Sequence, residues 1–428
     1  MQKKVIVIGG GFAGLTAAAY LAKNNFKVTL LEASPKLGGR AYSFFDKETN
    51  TTIDNGQHIL MGCYHNTLNF LELIGASNNF SFQKRLEVNF INEGFKILPL
   101  KSFPIFYPFN LIFGLLNFGA MNIKDRFNLL KVFLKLLFYS SAKYSNLNIK
   151  EWLESEGQSK TVQDAFWKIL AVGALNTNIE KASAKIFIDI LREIFLSGSK
   201  ASRIVLPKFG LSDSYVKNAG EYIRQNGGEI NTSESVDRII LKNSRISEIQ
   251  TDRKAFSDFD FVISTIPAFA LTKLLNDDLK IELQEFEYST ILNIHIWLKK
   301  NTIPDGFFGL INSPLHWIFN KGTHLNIVIS DANDYVNKSD EELIEMIKIE
   351  MKKFFFLQSE SILSYQIIKE KRATFIPSKH TIGNRPSQKT KIENFFLAGD
   401  WVDTSLPSTI ESAVKSGRVA AEMILEKD

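Results

Sequence analysis

The stretch KVIVIGGGFAGLTAAAYLAKNNFKVTLLE, residues 4–32, decides the fold. Lys4 to Ile8 is a short apolar run rich in β-branched residues, and Gly9-Gly10-Gly11-Phe12-Ala13-Gly14 follows at once. Leu15 to Lys23 reads as a helix, and Lys27 to Leu31 as a second strand closed by Glu32. Strand, glycine turn, helix, strand and acid each have a task in a βαβ unit. Gly9 makes the tight turn, Gly11 lets a pyrophosphate approach the backbone, and Gly14 lets the helix pack close to the strand. The helix N-terminus, reached just past Phe12 and Ala13, offers free N–H groups and a partial positive charge to phosphates. Glu32, with Ala33 beside it, is placed to accept hydrogen bonds from ribose hydroxyls. This is a dinucleotide site; a glycine-rich turn without a ligand would leave Glu32 unexplained.

Outward from that unit, 428 residues amount to about two to three domain-sized units. The 45% hydrophobic content fills a sizeable core, and a net charge of +5 suits an anionic surface or a phosphate-bearing cofactor without demanding either. No nucleic-acid motif is present. Cys63 is the sole cysteine, so no internal disulfide or cysteine-based metal site can form, and no histidine pair has metal-ligand spacing. The chain enters its first strand without a signal-peptide hydrophobic region, which fits a cytoplasmic protein. Phenylalanine is frequent, at 35 residues, which fits a large apolar cavity or, in part, AT-rich codon usage.

Gly38-Gly39-Arg40 lies just past the ribose-binding acid and suits a loop folding back over the cofactor, with Arg40 meeting a phosphate or a flavin edge. Ile53 to His58, IDNGQH, reads as a short strand ending in a polar turn, where Gly56 permits close approach and Gln57 and His58 lie along a flavin ring. At the other end, Asn394 to Asp400 is a strand ending in Gly399-Asp400, and a last helix begins near Thr409 and Ile410. Asp400 suits sugar-like hydroxyls, and the helix start suits the negative charge of a reduced flavin. A nicotinamide enzyme needs no such second element, so the cofactor reads as FAD. Gly417 is expected to let the last helix pack closely on the sheet, and Val236 to sit near the adenine.

Ser102 to Ile123 carries no charge over 22 residues but contains Pro104 and Pro108, and basic residues follow, interleaved with Leu and Phe up to Tyr139. An apolar loop followed by a basic amphipathic helix fits a segment on a membrane surface; a buried lid is the other placement, and a span is the least favoured. Helices are expected over Ile149–Glu156, Val162–Ala171 and Ala182–Leu196, and strands over Leu292–Lys299, Gly309–Ile311, His316–Asn320, Asn326–Ser330 and Ser364–Lys371. His295 and His316 alternate with apolar neighbours and read as strand residues with local partners. The expected architecture is α/β. A discontinuous Rossmann-like FAD-binding domain takes residues 1–66, 205–270 and 390–428. An α+β substrate domain takes 67–204 and 271–389, with a mixed sheet and a helical, partly membrane-facing insertion at 102–139.

These motifs resemble the flavin-containing amine oxidase and phytoene desaturase superfamily. Within it, IDNGQHILMGCYHNTL from Ile53, ALNTNIEKASAKIF from Ala174, HWIFNKG from His316, KRATF from Lys371 and AGDWVDTSLPSTIESAVKSGR from Ala398 resemble the hydroxysqualene dehydroxylase family over nearly the full chain. The resemblance implies FAD and a long-chain isoprenoid substrate. It also implies reductive loss of the allylic hydroxyl of hydroxysqualene to give squalene, on the inner face of the cytoplasmic membrane. The electron donor stays open. The acid that helps water leave is sought among Asp54, His58, Asp403 and Glu411, with Asn176 and Lys321 as polar positioning groups. The competing readings are an isoprenoid desaturase, an amine oxidase, and a lipid-binding protein with a vestigial cofactor fold.

Overall fold

The computed structural model of the chain describes residues 2–275 and 281–427. Five parallel strands form one sheet in the spatial order Glu229–Thr232, Lys27–Glu32, Lys4–Ile8, Phe261–Ser264 and Phe395–Leu397. Both faces are covered, which is why KVIVI and FVIS are continuous apolar runs. Val5, Val7, Val28 and Leu30 face the helices Phe12–Lys23 and Ile410–Leu425. Ile6, Ile8, Leu31 and Val262 face the other way, toward Ile239, Ile246 and Ile249 of a three-stranded antiparallel sheet.

A second sheet has seven strands, in the order Ile362–Phe375, Tyr288–Leu298, Leu325–Ile329, Trp317–Asn320, Gly306–Leu310, Glu87–Asn92 and Lys96–Lys101. It is antiparallel except where Gly306–Leu310 runs parallel to Glu87–Asn92. The sequence reading assigned no strand to 80–101. KILPLK hides its character because Pro99 cannot complete a ladder on both sides, and the strand is tolerated because it is the sheet's edge. The outer face, with Leu292, Ile294, Ile296 and Ile327, packs on Leu343, Ile347, Met351 and Phe354 of the helix Asp340–Phe355. That helix starts with a complete capping box between Ser339 and Glu342. The inner face carries Phe90, Phe307, Phe319 and Val328, which pack against a helical block around Trp152, Trp167 and Phe187.

As expected, the Ile53–His58 stretch is a short strand end followed by a polar turn: Thr51–Asp54 pairs with Ser43–Asp46 and the residues beyond run as a loop. Two local expectations are corrected. The apolar stretch 102–123 is not all loop: Phe109–Leu116 is helical, followed by the helix Ile123–Phe138, whose N-cap is Asn122. Gly417 meets the first helix rather than the sheet, since a Cβ there would lie 2.2 Å from the Ala13 carbonyl oxygen.

Candidate functional site

The first turn has the geometry its glycines require. Gly9 has φ of +105°, and a Cβ on Gly14 would lie 1.9 Å from the Gly9 carbonyl oxygen. Gly11 caps the helix that starts at Phe12, and a Cβ there would meet nothing nearer than the Gly39 Cα at 3.8 Å. The 38–40 loop packs directly on this turn, with the Gly38 N–H donating to the Gly10 carbonyl at 2.9 Å and a Cβ on Gly39 falling 3.1 Å from the Gly11 Cα, while the N–H groups of Phe12 and Ala13 at the helix start have no intrahelical partner. The Phe12 ring stacks on Tyr215 at 3.9 Å, and the Tyr215 hydroxyl donates to the Ala41 carbonyl at 2.8 Å, fixing that loop. Sequence reasoning missed Tyr215 because nothing local marks it.

Glu32 accepts from the backbone N–H of Gly10 at 2.6 Å and, just past Ala33, from that of Ser34 at 2.7 Å. These bonds aim the carboxylate and leave lone pairs for a further donor. Two residues before Val236, the Glu234 N–H donates to the Glu32 carbonyl at 2.9 Å, so the start of the 236–242 strand lies beside the acid.

The two ends of the chain meet at Arg40. Its guanidinium donates to Asp400 Oδ1 at 2.6 Å and to the Ala373 carbonyl at 2.7 Å, while the Ser408 hydroxyl donates to Asp400 Oδ2. The Gly399 N–H donates to Ser416 Oγ at 2.7 Å, and Thr409 caps the last helix by accepting from Ser412 N–H at 3.1 Å, with Ile410 its first residue. Arg40 and Asp400 thus hold one another in this structure, a pairing the sequence reading did not anticipate.

The 54–58 loop lies against the inner face of the large sheet. His295 Nε2 donates to the Asp54 carbonyl at 3.0 Å, and Trp297 Nε1 donates to Thr51 Oγ1 at 3.2 Å. A Cβ on Gly56 would sit 3.4 Å from both His58 Nε2 and Asn293 Nδ2, so that glycine separates two polar side-chain ends. Gln57 Oε1, His58 Nε2, Asn293 Oδ1 and Asn326 Oδ1 are all buried without a hydrogen-bond partner. Buried polar atoms of that kind call for a ligand or water. Beside them, Asp54 Oδ1 accepts from Ser43 Oγ at 2.7 Å and Leu211 N–H at 3.0 Å, and Asp54 Oδ2 faces Lys321 Nζ at 3.8 Å. Burial pulls His58 and His324 down to about 4 and His295 to about 3, so all three imidazoles are neutral at pH 7. Burial also lowers Lys321, against the opposing pull of Asp54.

Three expected polar groups are committed elsewhere. Both Glu411 oxygens are filled by the N–H and side chains of Asn66 and Thr67, at 2.7 to 2.9 Å, so this carboxylate caps the helix His65–Leu73 and has no lone pair left for proton transfer. Asp403 accepts from Arg385 at 3.2 Å and from Ser405 N–H at 3.0 Å. Asn176 ends its helix at φ of +50° and ties together Thr374, Ser289 and the Asp331 N–H. His316 Nδ1 accepts from the Ser330 N–H at 3.1 Å, the local partner expected of a strand histidine.

A glycine turn at a helix start with unpartnered N–H groups, an aimed acid and a buried set of unpartnered polar atoms fit a long cofactor with phosphates at one end and a polar ring at the other. Residues 12–425 match the family described as flavin-containing amine oxidoreductase. The chain is 29% identical over 429 residues to hydroxysqualene dehydroxylase of Zymomonas mobilis, covering 98% of each. It is 25% identical to 15-cis-phytoene desaturase of an Oncidium hybrid cultivar, covering 99% of this chain and 78% of that one. An oxidoreductase structure from Methanosarcina mazei shares the fold, with a TM-score of 0.74 at 18% identity over 99% of this chain and 100% of the other. The chain belongs to the flavin-containing amine oxidoreductase family and is an FAD-dependent oxidoreductase.

Proposed function

We propose that this enzyme removes the allylic hydroxyl of hydroxysqualene to give squalene. The observation that carries the reading is the polar group set into an otherwise apolar sheet face: Asn293 and Asn326, 2% and 1% exposed, beside Gln57, His58 and the Asp54–Lys321 pair. A flavin ring would meet Gln57 and His58 in either enzyme, but the hydrocarbon of a desaturase offers nothing to Asn293 and Asn326, whereas an alcohol both donates and accepts. The full-length likeness to hydroxysqualene dehydroxylase supports the same reading.

In this reading Glu32 would hold the adenosine of FAD, Gly11, Phe12 and Ala13 its pyrophosphate, and Gly56, Gln57 and His58 its ring. Gly39, Arg40, Val236, Gly399, Asp400, Thr409 and Ile410 would complete the cradle. Once reduced and bound, FAD would supply the hydride that replaces the hydroxyl. The protein's own part is to hold the alcohol oxygen in the polar pocket and to keep water out with Phe90, Phe307, Phe319 and Trp317 along the same face. The division proposed is an FAD-binding part at 1–66, 205–270 and 390–428, with the remainder binding substrate.

The reading extends to the membrane. Phe106, Phe109, Phe113, Ile123, Phe127, Leu134 and Phe138 are exposed, beside exposed Lys124 and Lys131. Among the described residues no helix is long and apolar enough to cross a membrane. We place this face on the bilayer surface, where the substrate resides.

Anaerobic mixing of photoreduced enzyme with hydroxysqualene tests the reaction: flavin reoxidation with stoichiometric squalene by gas chromatography is expected. Bleaching of the oxidised enzyme by a phytoene-like isoprenoid chain, with no squalene from the alcohol, would establish the desaturase instead.

A further inference from the structure

We propose that Lys321 is the proton donor to the departing hydroxyl and that Asp54 is the residue that positions its ammonium. This rests on the dehydroxylase reading above. In that reaction the C–O bond of the allylic alcohol breaks and a C–H bond forms with the hydride and electron pair of reduced FAD. One proton must reach the oxygen so that water, not hydroxide, departs. The ammonium supplies it, and the resulting amine regains a proton from bulk water.

The pocket offers few other donors. His58, His295 and His324 are neutral at pH 7, and His295 already spends its Nε2–H on the Asp54 carbonyl. Arg40 is bound to Asp400 and Ala373, and a guanidinium does not release protons at ordinary pH. The Asp54 carboxylate is committed as an acceptor, to Ser43 Oγ and the Leu211 N–H through one oxygen and facing the Lys321 ammonium with the other.

Lys321 has the opposite balance. At 3.8 Å its Nζ is attracted by Asp54 Oδ2 but lies beyond ordinary hydrogen-bonding distance, so among the described residues its N–H donors are not taken up by a close acceptor. The side chain is 28% exposed, against 9% for its partner, so Lys321 is the more accessible member of the pair. Its root is fixed in a tight turn, where the Lys321 N–H donates to the His324 carbonyl and the Gly322 N–H to Asn320 Oδ1, both at 2.9 Å. Lys321 faces Asp54, whose carbonyl takes the His295 Nε2–H, and two residues on, Gly56 lies against Asn293 and His58, so the ammonium stands beside the loop that holds the unpartnered acceptors on Gln57 and Asn293. Burial makes the ammonium a stronger acid than a surface lysine, and Asp54 keeps it charged until an oxygen arrives.

The test is the single-turnover rate of flavin reoxidation and squalene formation in FAD-loaded enzyme. Lys321→Met is expected to slow the step by about 10²–10⁴-fold with flavin content unchanged. Ethylamine should restore part of the rate in Lys321→Met and leave wild type unaffected. The alkaline limb of the wild-type pH–rate profile should vanish in the variant, the groups facing the ammonium being Asp54, His58, His295 and His324. A Lys321→Met/Asp54→Asn double variant leaves no bare buried charge, and it should be as slow as the single variant. Turnover within about threefold of wild type in FAD-loaded Lys321→Met or in the double variant overturns the assignment alone. Wild type that yields no squalene overturns the dehydroxylase reading and the assignment with it.

Discussion

Glu32 anchors the glycine turn and, in the proposed reading, also meets the ligand. Its two oxygens hold the N–H groups of Gly10 and Ser34, so Glu32→Ala removes both the anchor of the glycine turn and the acceptor proposed for the ribose. FAD affinity is expected to fall at least about tenfold, with Glu32→Gln intermediate, since each charge-assisted bond is worth about 1.5–3 kcal/mol; retained flavin after desalting reads it, and unchanged retention would remove Glu32 from the cradle. The histidines make a second prediction. His295 is held to about 3, and His58, His316 and His324 to about 4, below the roughly 6.5 of an unfolded chain. The folded state refuses protons that the unfolded state accepts, so this stability is full above about pH 6.5 and is lost as pH falls toward 3–4. At pH 5 each such histidine costs about 2 kcal/mol. The urea midpoint should drop from pH 7 to pH 5, and His295→Asn should flatten the fall.

Helix packing governs the next level. Gly417 crosses the start of the first helix, and alanine there would place a Cβ 2.2 Å from a backbone oxygen that cannot swing aside. Alanine in a helix interior ordinarily stabilises by about 0.5–1 kcal/mol. Here the clash reverses the sign, and Gly417→Ala should destabilise by about 1–3 kcal/mol and loosen FAD, because the N–H groups of Phe12 and Ala13 move with the helix. Thermal unfolding with and without added FAD measures both effects; a raised melting temperature would count against the close crossing. The helix Ile123–Phe138 carries a second lesson. Leu129, Val132 and Leu136 form its buried stripe, yet Ile123, Phe127, Leu134 and Phe138 form another that faces outward, interleaved with Lys124 and Lys131. A helix with two apolar faces needs two apolar neighbours, and the fold provides one.

The molecule as a whole presents that second face together with Phe106, 74% exposed, while Phe138 is 83% exposed. Burying a phenylalanine is worth about 1.5–3 kcal/mol, so Phe106→Ser/Phe138→Ser should weaken binding to phosphatidylglycerol vesicles by about a hundredfold. Turnover of detergent-dispersed substrate should stay unchanged. Equal co-sedimentation of variant and wild type would show that this face does not meet the bilayer.

Much of the fold was legible because its signals are local. The residues 4–32 carry their own turn, helix start and acid within one βαβ unit, and the last helix announces its cap at Thr409. The sequence by itself therefore determined the parallel sheet, the glycine turn, the acid at Glu32 and the flavin-type second element. The tertiary structure decided which polar residues stay free. Glu411 stands in a motif as suggestive as that of Asp54, but it is consumed by Asn66 and Thr67, which lie 344 or more residues away in the chain. Arg40 and Asp400, also far apart, are joined. Asn293 looked like one more strand residue until the 54–58 loop was laid against it. Hydrogen-bond satisfaction depends on partners distant in sequence, and a local pattern cannot show which lone pairs and N–H groups the rest of the chain has already taken.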